Sequence, residues 1–579
     1  MLKQPSEASN KTWWTLALFA IVAAAASATP SPWWDGKLLD IEPVLPWAAA
    51  ALPLEVRDAE VPQEALPAEA PTEASAQTAP MGEASGSAEA TAGSAEASGQ
   101  PVAEGAAPPR ATPGRAVARA EVAAAGSGSG HADALPAPEE GSAVAAVTPS
   151  APAAAAPASN DPEISDAPPS AAELRHVRPV IAALVAALDP PKAPMERPCS
   201  DPSCRGHALD RFFAKLTRTA LGTTARPVRI SQFGDSLVMG DDFAGTVRGR
   251  LQKAFGEGGH GFFYIAHPER PYAARGYSLS LSSDWKIRTV VTAGSSNRNF
   301  GLAGASFAVD GAPSFSARQT DGLLPTTRVG LLYHANASRG GFDLAAGDER
   351  TARDLSVTQG SDGLEWVDLT KPSDRFRVSR FRGDWLWFGA VAERSGPGVV
   401  VDNMGMVSGR VAQMSKIDRA HWARQMAARG TDLASFFYGV NDAAEGNGFV
   451  SRKAEFERAY AELLRRSRNA LPHGDCLAVG ILTRGHREGG TVLTYPSVGQ
   501  MTAVQRAAAK AEGCAFWSPY ENIGGDDGAE KWNSGSPRLL GADLAHPTRS
   551  GYVKLGNLLT SALLHAYLEW IDSSLGAHP

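Results

Sequence analysis

The run Val228–Phe233 ends in Gly234-Asp235-Ser236-Leu237, and beyond it Phe243, Val247, Leu251 and Phe255 recur every four residues. An apolar strand that turns at once into an amphipathic helix belongs at the carboxyl edge of an open α/β sheet. A serine on such a turn has its hydroxyl at that edge. The helix behind it adds unpaired N–H groups and the positive end of its dipole. Gly-Asp-Ser alone also suits an ordinary loop, so the tetrad needs further blocks to carry a function.

Two such blocks follow. Phe436-Phe437-Tyr438-Gly439-Val440-Asn441-Asp442 is a second apolar strand ending in a Gly-x-Asn-Asp turn, and Asp543-Leu544-Ala545-His546 precedes a long helical pattern. In order and content, these blocks resemble the SGNH (GDSL-type) hydrolases over residues 225–260 and 398–570. The resemblance implies a flavodoxin-like three-layer α/β sandwich and a serine esterase, close in kind to exported glycan or peptidoglycan O-acetylesterases.

Acyl transfer needs a nucleophile, a base, a group that orients the base, and donors for the oxyanion. Ser236 is the candidate nucleophile and His546 the base. Asp543, three residues before His546, can hold Nδ1 and leave Nε2 facing the serine. By the resemblance, the oxyanion hole combines the Ser236 N–H, the Asn441 side-chain amide and a glycine N–H after the second strand. Gly409 matches that position better than Gly405. Asp235 reads as a turn residue, not the triad acid. His260 and His267 read as loop histidines, and Arg549 and Lys554 as solvated surface. No third and fourth ligand lies at a suitable spacing beside the cysteine pairs, and neither a metal nor a cofactor is expected.

Strand-like runs at Val228–Phe233, Val399–Asn403, Leu433–Tyr438, Leu477–Leu482 and Ala515–Trp517 are separated mostly by helical patterns, which argues a parallel sheet with helices on both faces. Residues 262–397 interrupt that alternation with short strands and turns, expected to form an inserted β-sandwich. Its likeness to carbohydrate-binding modules in related esterases suggests that it grips substrate. Trp385 and Trp387 share one strand face, where core packing explains them at least as well.

The chain begins with Lys3 and Lys11 ahead of the apolar stretch Trp13–Val22 and an alanine run, a pattern for export. Ala26-Ser27-Ala28 offers a cleavage site. The tryptophan pairs at Trp13 and Trp33 stand 20 residues apart, close to one bilayer crossing, although Pro30 and Pro32 interrupt a helix there. We read residues 1–47 as a signal peptide or membrane anchor, with 13–29 as an uncleaved anchor in the periplasmic or extracellular reading. No aromatic residue occurs between Trp47 and Phe212, so residues 48–172 are expected to be a disordered linker. Residues 173–224 form a helical extension, and 225–261 with 398–579 form the hydrolase domain.

The four cysteines offer two bridges, Cys199 with Cys204 and, if their strands are neighbours, Cys476 with Cys514. A net charge of −7 with no basic stripe gives no support for nucleic-acid binding. The expected partners are therefore an acylated glycan or other ester and, through the N-terminal segment, a membrane. The function expected is removal of O-acyl groups, chiefly O-acetyl, from an extracytoplasmic polysaccharide or peptidoglycan. The rivals are an O-acetyltransferase with the same triad and a tethered glycan-binding scaffold.

Overall fold

A computed structural model describes residues 161–198, 207–268, 272–294, 299–320, 322–443 and 448–576. The N-terminal apolar segment, nearly all of the expected linker and the Cys199–Cys204 pair lie outside the described residues. Among the described residues no helix is long and apolar enough to cross a membrane.

The chain enters through α1 (Ala171–Ala186), opened by a capping box in which Ser170 and Glu173 satisfy each other's backbone N–H groups. α2 (Asp210–Ala220) leads into β1 (Val228–Gly234), the short α3 (Ser236–Met239) and α4 (Asp242–Phe255). The inserted segment supplies β2 (Gly261–Phe263), β3 (Tyr277–Leu281), β4 (Trp285–Thr289), β5 (Ala305–Val309), β6 (Phe315–Gln319) and β7 (Thr326–Ala335). It continues through β8 (Arg339–Ala346), β9 (Glu349–Ser356), β10 (Asp362–Ser373), β11 (Arg375–Arg382) and β12 (Trp385–Glu393). The chain returns through β13 (Val399–Gly405), α5 (Val411–Met414), α6 (Arg419–Arg429), β14 (Leu433–Phe437), α7 (Gly448–Ala470) and β15 (Asp475–Val479). A hairpin of β16 (Gly485–Glu488) and β17 (Thr491–Thr494) precedes α8 (Pro496–Ala511) and β18 (Ala515–Trp517). Last come α9 (Pro519–Ile523), α10 (Gly528–Ser534) and α11 (Arg549–Gly576).

β13, β1, β14, β15 and β18 pair in that order, all parallel. Numbered along the chain within the sheet, this is the flavodoxin-like order 2-1-3-4-5, whose direction reverses between β1 and β14. Alternation along each strand divides the core in two. Ile230, Val401, Leu477 and Val479 face α2, α4 and α11, whereas Phe436, Ala478 and Phe516 face α6, α7 and α8. Cys476 on β15 and Cys514 just before β18 are joined by a disulfide, with Cα atoms 4.9 Å apart.

The inserted segment forms two antiparallel sheets. One contains β10, β7, β12, β5 and β4, with β2 against β12, and the other β3, β6, β11, β8 and β9. Phe381 and Phe342 of the second sheet pack on Trp387 of the first. Trp385 and Trp387 are fully buried, so both belong to this core and neither presents a surface to substrate. Buried charges tie the insertion to the parallel sheet. Glu393, at the end of β12, forms ion pairs with Arg229 of β1 at 2.6 Å and with Arg429 of α6 at 2.7 Å. Arg429 in turn holds Asp402 of β13 at 2.8 Å, and Asp402 accepts the Phe262 N–H at 3.0 Å. Every charge here has a partner, as burial demands.

The linker expected over 48–172 ends too late. Asp161 pairs with Arg229 at 2.5 Å and with Arg328 at 2.7 Å, and Ile164 is buried. Composition averages over a window and misses so short an anchoring segment. A chain beginning at Ser159 should therefore keep the full-length unfolding midpoint. One beginning at Ala171 strips Asp161 from a buried guanidinium and should lose roughly 1–3 kcal/mol, read in urea titrations. Equal midpoints for the two chains would show that Asp161 contributes nothing.

Candidate active site

The crevice outside the carboxyl ends of β1 and β14 is where an open sheet of this order places a ligand. Gly234 ends β1 and pairs with Gly405 on one side and Phe437 on the other. A Cβ at Gly234 would come within 2.3 Å of Val238, and one at Gly405 within 2.3 Å of the Met239 nitrogen. Both strand ends must be bare for α3 to lie across them, which sets Ser236 at the crevice. The Ser236 N–H is in the first turn of α3, where helix geometry provides no intrahelical acceptor.

Asp235 fixes the turn from beneath. Its Oδ1 accepts the Leu237 N–H at 3.0 Å, and its Oδ2 accepts those of Gly439 and Val440 at 3.2 and 3.3 Å. One buried carboxylate thus joins the ends of β1 and β14. Burial pushes its pKa up to about 7, against the pull of those N–H groups.

Ser236 Oγ lies 2.7 Å from His546 Nε2, and His546 Nδ1 lies 2.5 Å from Asp543 Oδ2. The other carboxylate oxygen, Oδ1, accepts the backbone N–H groups of Ala545 and His546, each at 3.1 Å. The loop closes through a 2.7 Å bond from the Gly541 N–H to the His546 carbonyl, with Leu544 in the left-handed region at φ 56°. Asp543 therefore holds the histidine's backbone with one oxygen and its ring with the other. Its hydrogen bond raises the His546 pKa above the ordinary value, more than burial lowers it. In return, bonds from His546 and Ala545 outweigh burial and hold Asp543 at about 2. With Nδ1–H donated to the carboxylate, Nε2 is left as the acceptor facing the hydroxyl.

The oxyanion side differs from expectation in one respect. Gly409 is at the site, but its N–H closes a turn on the Met406 carbonyl at 3.0 Å. Gly405, the alternative, is inside the sheet, and its N–H bonds Asn403 Oδ1 at 3.2 Å. Neither glycine offers an unpaired donor. Gly409 contributes its carbonyl, which accepts Asn441 Nδ2 at 3.1 Å and so fixes the amide that carries a second N–H.

Sequence reasoning missed Arg484 and Gly485, which fasten the two halves of the site. The Arg484 guanidinium donates to the Val440 carbonyl at 3.0 Å, and the Gly485 N–H donates to the Leu544 carbonyl at 2.7 Å. This dipeptide bridges the Asn441 turn and the His546 loop. Its only signal was position, just beyond a strand at the carboxyl edge of the sheet. His260 and His267 are structural: His260 is buried against Asp241 and stacked on Phe263, and His267 Nδ1 accepts the Tyr272 N–H at 3.0 Å. Arg549 faces Asp242 at 3.8 Å and Lys554 faces Asp189 at 4.0 Å.

A hydroxyl, an imidazole and a carboxylate in series at the edge of a flavodoxin-like sheet define a serine acyl hydrolase. Residues 356–554 match the GDSL-like lipase/acylhydrolase family, and the chain is a serine esterase that resembles it. The matched stretch holds Asn441, Asp543 and His546. Ser236 lies before it, cut off by most of the inserted segment. Among solved structures, a peptidoglycan O-acetylesterase is similar with TM-score 0.52 and 24% identity, over 62% of this chain and 95% of that one. A family two carbohydrate esterase from Cellvibrio japonicus is similar with TM-score 0.21 and 10% identity, over 51% of this chain and 98% of that one. An acetyl xylan esterase, AlAXEase, is similar with TM-score 0.22 and 14% identity, over 28% and 80%. No curated protein matches the chain.

Proposed function

We propose that this esterase removes O-acyl groups, chiefly O-acetyl, from an extracytoplasmic polysaccharide or peptidoglycan, with residues 13–29 holding it at the membrane. The observation that carries the reading is the unbroken series from Ser236 Oγ through His546 to Asp543. The charged, apolar N-terminal pattern supports export. The similarly folded peptidoglycan O-acetylesterase names the substrate class to try first.

In this mechanism Ser236 Oγ attacks the acyl carbonyl carbon while its proton passes to His546 Nε2. Asp543 keeps the ring oriented and stabilises the imidazolium. The carbonyl oxygen, now negative, is held by the Ser236 N–H and the second N–H of Asn441. The imidazolium returns its proton to the departing sugar oxygen, leaving an acyl-serine. Water then attacks by the same route, and acetate leaves.

Acetate release from O-acetylated peptidoglycan and from O-acetylated xylan, beside 4-nitrophenyl acetate, tests the substrate. Turnover of the small ester with both polymers untouched would remove the glycan from this reading. Acetyl transfer to a sugar hydroxyl without net acetate release would replace it with the transferase. Asn441→Ala should lower kcat by about 10²-fold and leave KM nearly unchanged, because its amide bonds best to the charged intermediate. A rise in KM at constant kcat would place Asn441 in ground-state binding instead.

A further inference from the structure

A second concentration of reactive side chains lies at the seam between the inserted sheets and α6. His334 on β7 and Asp362, the first residue of β10, are cross-strand partners, and His421 reaches them from α6. All three are buried. His334 Nδ1 is 2.8 Å, and His421 Nδ1 2.7 Å, from the same oxygen, Asp362 Oδ1. One donor atom from each residue lies within 4.8 Å of the other two. The outer ring nitrogens are also held: His334 Nε2 is 3.1 Å from Asn299 Nδ2, and His421 Nε2 is 2.9 Å from the Phe300 carbonyl and 2.8 Å from Gln425 Nε2. Arg424 takes the second carboxylate oxygen of Asp362 at 2.6 Å.

His421 is the informative member. Its Nδ1 is buried and 2.7 Å from a carboxylate oxygen, yet makes no hydrogen bond, so the ring axis passes beside the oxygen. In the tautomer that donates Nε2–H to the Phe300 carbonyl, Nδ1 carries a lone pair. A lone pair set against a carboxylate in the interior is costly unless a cation lies between them. An ion on that axis, about 2.1 Å from the nitrogen, can also stand within the ordinary zinc–oxygen distance of Oδ1.

We propose that His334, Asp362 and His421 form a structural site for a divalent transition ion of the zinc type, which fastens the inserted sheets to α6. Two imidazoles and one carboxylate suit zinc. Calcium and magnesium want several oxygens. The Phe300 carbonyl is the kind of outer partner that fixes the tautomer of a ligating histidine. Arg424 is partly exposed, so solvent screens its repulsion of the ion, and it occupies only the oxygen the ion does not need. Three protein donors leave a fourth position for water. No step of ester cleavage passes through the site.

The untagged full-length chain, stripped with chelator and dialysed, should bind one Zn²⁺ per chain in calorimetric titration with the metal alone. Co²⁺ should give a visible absorption band at the same stoichiometry, and the unfolding temperature should rise with added Zn²⁺. His334→Gln and His421→Gln should each weaken Zn²⁺ binding by about 100-fold or more and abolish the rise, with turnover of a soluble ester reporting that they are folded. Undiminished binding in both folded variants overturns the proposal. If neither variant folds, the wild-type chain decides: no stoichiometric uptake, or uptake that leaves the unfolding temperature unchanged, overturns it equally.

Discussion

Ser236→Ala is expected to abolish covalent labelling by an organophosphonate and to lower kcat on a soluble ester by roughly 10⁴–10⁶-fold, with the unfolding temperature unchanged. The hydroxyl is the only atom removed, and the turn that carries it is held by backbone bonds to Asp235, not by the serine side chain. His546→Ala should cost a similar factor. The double variant should cost little more, because a nucleophile without its base and a base without its nucleophile fail at the same step. Full ester turnover in Ser236→Ala would sink the hydrolase mechanism and return the chain to the tethered glycan-binding scaffold. Multiplicative losses in the double variant would show instead that the 2.7 Å contact is not a working hydrogen bond.

The parallel sheet was legible because each strand carries a short run of apolar residues and ends at a turn. Val228–Phe233 and Ala515–Trp517 nearly coincide with β1 and β18. Leu477–Leu482 reads late against β15 because Ile481 and Leu482 are buried outside the ladder, where the Ile481 N–H bonds Gln505 Oε1 at 2.8 Å. The blocks around Ser236, Asn441 and His546 were legible because each is local: a glycine turn, an amide or an Asp-x-x-His loop. What stayed hidden depends on contacts between distant segments. Nothing near Gly409 in sequence says that its carbonyl will take the Asn441 amide, and nothing near Arg484 says that Val440 will be its acceptor. His334, Asp362 and His421 have no ligand-like spacing, since two come from paired strands and one from a helix. Asp161 escaped because one anchoring carboxylate does not alter the composition of a linker.

The pH–rate profile should carry an acid limb above pH 6.5, the ordinary histidine value. His546 must be neutral to accept the serine proton. Its folded pKa is raised, first by the hydrogen bond to Asp543 and further by the negative charge of Asp235, while the nearby Arg484 works the other way. At pH 6.5 most of the base is therefore protonated, and kcat/KM should climb tenfold per pH unit until the imidazole titrates. Asp543→Asn removes both the strongest bond to the imidazolium and its charge. The limb should then move to lower pH while the plateau falls by roughly 10²–10⁴-fold, less than for Ser236→Ala because Asp543 is half exposed and water takes up part of its role. Asp235→Asn should move the limb in the same direction but by less, since Asp235 acts on the ring through space. Because Asp235 itself titrates at about 7, the wild-type limb should belong to the coupled pair and be broader than that of Asp235→Asn. An acid limb that stays in place in Asp543→Asn would mean that His546 is not the titrating base.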